Sequence, residues 1–343
     1  MVFKMSSVDI GIDLGTANII ITLGGRGIVL NEPSVVAYDK KKKQVIAVGR
    51  EAYDMLGRTP EYIVAAYPLR DGVISDNYMT EIMTREFIRK VSGSMLIKPR
   101  IVLCVPSFVT DVERRALVET ALRAGARKVF LIDEPVAALL GAGVDITKPS
   151  GVMVVDIGGG TTDIAVASFN GIVSSASIKM GGNKMDTAII KYIHAKYKLI
   201  IGEKTAEAAK KNIANVYDPD GTARMAVKGR DVIKGLPVSV DINDYDLQEA
   251  LSVCVDEIIS TIRTVLEKTP PELVGDIHTN GVVLTGGGAL LGGLDRLVTS
   301  FVGAPCLTAN KPVECVARGV GMAFRHTGEL LDGFEKISLY KYK

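Results

Sequence analysis

One short pattern occurs twice in this chain, and that repeat limits the possible folds more than any other feature. Val8-Asp-Ile-Gly-Ile-Asp-Leu-Gly-Thr-Ala-Asn-Ile-Ile-Ile21 and Gly151-Val-Met-Val-Val-Asp-Ile-Gly-Gly-Gly-Thr-Thr-Asp-Ile-Ala-Val166 each read as a β-branched run, an Asp-x-Gly hinge, a threonine and a second apolar run. Such runs broken at glycine are strand, tight turn, strand. Asp13 and Asp156 stand 143 positions apart, so two related halves are the natural reading. The length agrees: 343 residues at about 150 per domain give two domains, each able to bury its own core. We assign residues 1–149 to the first, 150–330 to the second and 331–343 to a tail.

Between the repeats, Ser34–Tyr38 and Gln44–Gly49 read as a hairpin around Lys40 to Lys43, a lysine run better explained as a solvated turn than as a binding patch. Ile101–Pro106 is a buried-strand run, Thr110-Asp-Val-Glu113 a capping box for a helix ending near Gly125, and Val129–Ile132 the next strand. In the second half, Met185–Tyr197 and Thr205–Val216 read as helices and Asp218–Asp244 as a hairpin-bearing stretch. From Asp246 to Lys268 apolar residues recur at three- and four-residue steps, a helix stopped by Pro270-Pro271. Gly281–Gly286 is a strand entering a glycine turn. Strands alternating with helices make the class α/β.

Glycine supplies 35 of the 343 residues, more than the usual share of about 7% and without the period of collagen. A nucleotide polyphosphate needs backbone N–H groups that approach closely, which glycine turns provide. Gly15-Thr16-Ala17 and Gly158-Gly159-Gly160 are two such turns, each just after an aspartate at a strand end, and carboxylates there suit a hydrated Mg²⁺. Either turn alone is better explained by an ordinary hairpin; together, with a third at Thr285-Gly-Gly-Gly-Ala-Leu-Leu291, they favour the phosphate reading. No G-x-x-x-x-G-K-[ST] occurs and no G-x-G-x-x-G opens a helix after the first strand, which excludes a P-loop enzyme and argues against a dinucleotide dehydrogenase. Forty-one Lys and Arg against 39 Asp and Glu give no bulk electrostatic case for nucleic acid. Cys104, Cys254, Cys306 and Cys315 lie far apart without metal-ligand spacing and read as buried apolar side chains in a reducing compartment.

In this order and spacing the three turns resemble the phosphate 1, phosphate 2 and adenosine motifs of the actin-like ATPase superfamily. Closer still, Gly11-Ile-Asp-Leu-Gly-Thr-Ala-Asn18, Asn31-Glu-Pro-Ser-Val35, Arg70-Asp-Gly-Val-Ile74, Asp111-Val-Glu-Arg-Arg115, Val154-Val-Asp-Ile-Gly-Gly-Gly-Thr-Thr162, Leu266-Glu-Lys-Thr-Pro-Pro-Glu-Leu273 and Leu284-Thr-Gly-Gly-Gly-Ala-Leu-Leu291 resemble the MreB/Mbl family, the bacterial actins of rod-shape determination. The resemblance runs from about residue 8 to about residue 325. It implies an actin-like ATPase fold of two duplicated ribonuclease-H-like domains, each with a smaller subdomain (about 32–66 and about 182–243), and nucleotide in the cleft between them. It implies ATP/ADP and Mg²⁺ as cofactors. Carried over by position, Asp13 and Asp156 face the metal through water, while Gly15, Thr16, Ala17, Asn18, Gly158, Gly159, Gly160 and Thr161 cradle the phosphates. Gly182, Glu207 and Lys210 match the segments that reach ribose and adenine, and Gly286, Gly287, Gly288, Ala289 and Leu290 pack under the base. Glu134 by itself reads equally as a helix N-terminal charge; the resemblance makes it and Thr161 the pair that positions the hydrolytic water. Asp133 stands where relatives usually have Glu, and Asn183 and Lys184 where they have two acids.

The family's apolar membrane loop corresponds to Ser94-Met95-Leu96-Ile97-Lys98. The contact residues are then Met95, Leu96 and Ile97, which could alternatively be a buried edge of the following strand. The tail, with Phe334, Ile337, Leu339, Tyr340 and Tyr342 among lysines, reads either as a second contact to anionic lipid or as a packed or disordered terminus. No secretory signal opens the chain and no apolar run is long enough to span a bilayer. The expected protein is a cytoplasmic ATPase, peripheral on the inner face of the cell membrane. It hydrolyses ATP slowly while assembling with itself into paired protofilaments that serve cell shape, with membrane-protein partners and no nucleic acid. A chaperone-type ATPase would need a separate peptide-binding domain, and a small-molecule kinase a substrate aspartate; neither is found.

Overall fold

Asp9–Leu14 and Val152–Ile157, the first strands of the two repeats, each lie inside a separate sheet. The computed structural model describes residues 9–93, 98–324 and 334–335. The chain divides into two units, one of Met1–Ser150, Ala167–Val173 and Val313–Lys343, the other of Gly151–Val166 and Ser174–Pro312.

In the first unit the sheet order is Phe334–Glu335, Lys128–Asp133, Arg100–Val105, Asp9–Leu14, Asn18–Leu23, Gly27–Pro33. Asp9–Leu14 runs parallel to Arg100–Val105 and antiparallel to Asn18–Leu23. In the second unit the order is Cys306–Thr308, Val282–Thr285, Val152–Ile157, Thr162–Ser168, Gly171–Ile178, and Val152–Ile157 is parallel to Val282–Thr285. From the second strand of one sheet and the first of the other, the two orders correspond strand for strand, so the echo in sequence is a duplication in topology. The α/β reading holds.

Burial on both faces explains the nearly unbroken apolar strands. Ile10 and Ile12 pack with Met83 and Phe87 of helix Asn77–Ser92 and with Leu117 and Val118 of helix Asp111–Arg123. Gly11, pointing the other way, lies against Val320 and Gly321. Helix Cys315–Ala323 therefore covers the opposite face, and it crosses helix Glu134–Ala142 at very short range. A Cβ on Gly141 would fall on the Cys315 carbonyl and one on Gly319 on the Ala137 carbonyl. Some of the glycine surplus thus serves helix packing and not turns.

Thr110 and Glu113 form the expected capping box, and Asn243 with Asp246 forms a second that starts helix Asp244–Lys268. That helix ends at Thr269, ahead of Pro270. Helix Glu203–Ile213 stops three residues short of the expected Val216, because the Val216 N–H bonds the Gly292 carbonyl and draws the chain into a bridge there. Small sheets of Val36–Asp39, Gln44–Val48 and Ile63–Ala66 in one unit, and of Leu199–Ile200, Arg224–Asp231 and Pro237–Asn243 in the other, form the insertions. The lysine run is an exposed turn whose Lys41 and Lys42 N–H groups donate to Asp39 Oδ1. All four cysteines are buried thiols outside any disulfide. Among the described residues no helix is long and apolar enough to cross a membrane.

Candidate functional site

Each repeat carries a buried carboxylate at the last residue but one of its first strand: Asp13 is 9% exposed and Asp156 3%. In the first unit, Cys104 on the neighbouring parallel strand donates its Sγ–H to Asp13 Oδ1 at 3.3 Å. Burial pushes Asp13 up to about 6 against the pull of that hydrogen bond. The thiol itself lies well above its ordinary value, first from burial, then from the charges of Asp13 and Glu134, so it stays a donor. Glu134 opens helix Glu134–Ala142 directly after strand Lys128–Asp133, with Pro135 next, and shares with Asp13 the surroundings of one thiol. Asp133 lies 3.9 Å from Arg114.

The turn after Asp13 is anchored through its carbonyls. Ser34, fully buried, donates Oγ–H to Gly15 O at 2.7 Å and its backbone N–H to Ala17 O at 2.9 Å. Gly72 N–H donates to Thr16 Oγ1 at 3.2 Å. Gly72 belongs to a two-residue hairpin loop, Asp71-Gly72, in which both residues have positive φ. At Gly15 a Cβ would stand 2.6 Å from the Asn18 carbonyl, so the turn closes only around glycine.

In the second unit the partner of Asp156 is Thr285, whose hydroxyl donates to Asp156 Oδ1 at 2.5 Å, the short range of a hydroxyl on a carboxylate. The turn 158–161 closes with Gly158 N–H on Thr161 O, and its carbonyls cap a helix: Gly182 N–H donates to Gly158 O and Asn183 N–H to Gly159 O. Gly181 is the N-cap of helix Gly182–Tyr197, and a Cβ there would meet the Gly158 and Gly159 backbone at 2.8 Å. Lys210 of helix Glu203–Ile213 donates to Gly182 O at 2.8 Å and pairs with Asp186 at 2.7 Å. Burial raises Asp186 and Lys210 partly offsets it. Lys210 is thus a clasp between the two helices, while Glu207 pairs with Lys211 one turn on.

The third turn packs on Ile157, next to Asp156. Gly286, at φ +78°, would set a Cβ against the Ile157 carbonyl, and Gly288 against its side chain. Nothing lies within 4 Å of a Cβ at Gly287. Residues Gly287–Leu290 form a 3₁₀ turn with Ala289 buried and Leu290 63% exposed. Within the first unit the structure brings together Asp13, Gly15, Thr16, Ala17, Asn18 and Glu134; within the second, Asp156, Gly158 to Thr161, Gly182, Lys210 and Gly286 to Leu290. Met95, Leu96 and Ile97 lie outside the described residues, as does the tail apart from Phe334–Glu335, whose backbone pairs with Leu131 and Ile132. In each unit the buried carboxylate is an oxygen ligand of the kind that a hard, hydrated cation takes. Sequence reasoning missed Ser34 and took Cys104 as apolar filler; only strand register reveals the partner of either.

A model of the MreB/Mbl protein family matches residues 7–331. The cell shape-determining protein Mbl of Bacillus subtilis (strain 168) is 50% identical over 334 residues, covering 97% of this chain and 98% of its own. The cell shape-determining protein MreB of Escherichia coli (strain K12) is 48% identical over 336 residues, 95% of this chain and 97% of its own. Among solved structures, MreB 5 of Spiroplasma citri bound to AMPPNP matches with a TM-score of 0.89 and 38% identity over 94% of this chain and 97% of that one.

Proposed function

Because the chain belongs to the MreB/Mbl family and has its actin-like fold, we propose that it is a cytoskeletal ATPase that binds Mg²⁺-ATP and assembles with itself into filaments at the inner face of the cell membrane. The observation that carries the proposal is the paired arrangement of buried carboxylate and glycine turn, once at Asp13 and Gly15 and again at Asp156 and Gly158. The AMPPNP held by the S. citri relative supports an adenine nucleotide as the ligand. Bound there, the magnesium nucleotide supplies a charge-neutralised γ-phosphoryl group for transfer to water.

This chain's residues then divide the work. Asp13 and Asp156 hold the cation's water shell, and the backbone N–H groups of Gly15 to Asn18 and Gly159 to Thr161 meet the phosphate oxygens, while the Gly158 N–H keeps the second turn closed on Thr161 O. Gly182, Glu207 and Lys210 border the sugar, with Lys210 acting through the Gly182 carbonyl it already holds. Gly286 to Leu290 form the floor under the base, where exposed Leu290 offers apolar surface. Glu134 and the Thr161 hydroxyl orient the attacking water, the positioning that phosphoryl transfer chiefly requires. Met95, Leu96 and Ile97 insert into the bilayer; each contributes about 1.5–3 kcal/mol at full burial, so attachment grows with filament length.

Sedimentation with ATP, ADP or no nucleotide, alongside phosphate release, tests the proposal. ATP is expected to drive the protein into the pellet, and Glu134→Ala to lower phosphate release by about 10²-fold or more while nucleotide binding is retained. A protein that stays in the supernatant under all three conditions and releases no phosphate refutes it.

A further inference from the structure

In each unit the aspartate at the end of the central strand meets a side-chain donor from the adjacent parallel strand, at the same rung. Asp156 is registered with Thr285. Ile12 is registered with Leu103, which makes Asp13 and Cys104 the next rung. The rung before is apolar on apolar in both units, Ile12 with Leu103 and Val155 with Leu284. The carboxylate and its donor therefore form a polar pair set into otherwise hydrophobic strands. A buried carboxylate is unfavourable unless its oxygens are partnered, and an apolar pair at that rung would serve stability better. The arrangement is made twice by unrelated side chains, a thiol and a hydroxyl, whose only shared property is a donor hydrogen at that place.

We propose that Cys104 and Thr285 are positioning residues: each takes up Oδ1 of the aspartate beside it, at 3.3 Å and 2.5 Å, and fixes the plane of a carboxylate that faces the Mg²⁺ water shell. This rests on the reading that Asp13 and Asp156 serve the cation. A carboxylate that holds metal-bound water must present its oxygen in one orientation, and donors behind the ligand supply it. The two are unequal. A thiol is a weak, long donor and a hydroxyl on a carboxylate a short, strong one, so Asp156 is the more firmly held and Asp13 the more adjustable.

The test uses the full chain and reads metal dependence separately from nucleotide affinity. A fluorescent ADP analogue is titrated in EDTA and across a Mg²⁺ series, and Mn²⁺ replaces Mg²⁺ for electron paramagnetic resonance of the bound ion. Cys104→Ala and Thr285→Val should each raise the Mg²⁺ concentration at half effect about tenfold, with affinity in EDTA unchanged. Cys104→Ser and Thr285→Ser, which restore a donor, should stay within about twofold of the parent and keep its Mn²⁺ spectrum. Parental Mg²⁺ requirement in both the Ala and Val variants overturns the proposal, as does an equal loss of affinity with and without Mg²⁺. If one of those variants fails to melt cooperatively, the other, compared with its Ser counterpart, decides. A parent chain whose nucleotide affinity is indifferent to Mg²⁺ refutes the cation reading itself, and the proposal with it.

Discussion

Asp13 carries opposed demands in one side chain. Burial lifts its folded-state value to about 6, above the unfolded value near 3.9. A group raised in this way contributes its stability at low pH and loses it as pH rises through the folded value, so ionised Asp13 strains the fold above about pH 6 by roughly 3 kcal/mol. In EDTA without nucleotide, Asp13→Asn should therefore lose less stability than the parent between pH 5 and 7.5, read by urea unfolding, while nucleotide binding loses its Mg²⁺ dependence. A parent that is equally stable at both pH values contradicts this. The carboxylate itself was legible, since Asp-x-Gly at the end of a β-branched run names its place. Its surroundings were not. Ser34 stands 19 residues from Gly15, Cys104 stands 91 from Asp13, and only register brings them to the turn and its aspartate.

At the scale of elements, the crossing of helices Glu134–Ala142 and Cys315–Ala323 depends on the absence of side chains. At Gly319 a Cβ would meet the Ala137 backbone, which cannot swing aside as a flexible side chain can. Gly319→Ala should cost about 1–3 kcal/mol or more through forced separation of the helices, although alanine is the better helix former. It should also disturb catalysis, because Glu134 is the first residue of the displaced helix. Urea unfolding and phosphate release check both effects, and a Gly319→Ala protein as stable as the parent contradicts the contact. Strands, turns and capping boxes were readable because local chemistry sets them: positive φ at Gly286, the Thr110–Glu113 pair, Pro270 after the long helix. Helix partners were not, because Gly141 and Gly319 weaken a helical pattern in sequence, and the close approach they permit is visible only in three dimensions.

At the scale of the whole molecule the echo in sequence fixed the plan, two sheets of corresponding order. Their correspondence is hidden outside the turns because insertions of unequal length separate the strands: Cys104 and Thr285 occupy equivalent rungs but are not 143 positions apart. The proposed membrane attachment also belongs to this scale, since single insertions are weak and an array is strong. Replacing Met95, Leu96 and Ile97 together by serine should abolish co-sedimentation with anionic liposomes while ATP-driven pelleting without lipid persists. Undiminished lipid binding would move the contact elsewhere, the tail being the next segment to truncate. The order of synthesis gives the fold one more property. Helix Cys315–Ala323 covers the sheet face at Gly11 and packs on helix Glu134–Ala142, yet the ribosome makes it more than 170 residues after that helix. At about 5–20 residues per second, that is roughly 10–35 s during which the strand bearing Asp13 is exposed on one side. The half of the protein that is translated first is completed last, so a pause or a premature stop late in the message strands the beginning of the chain.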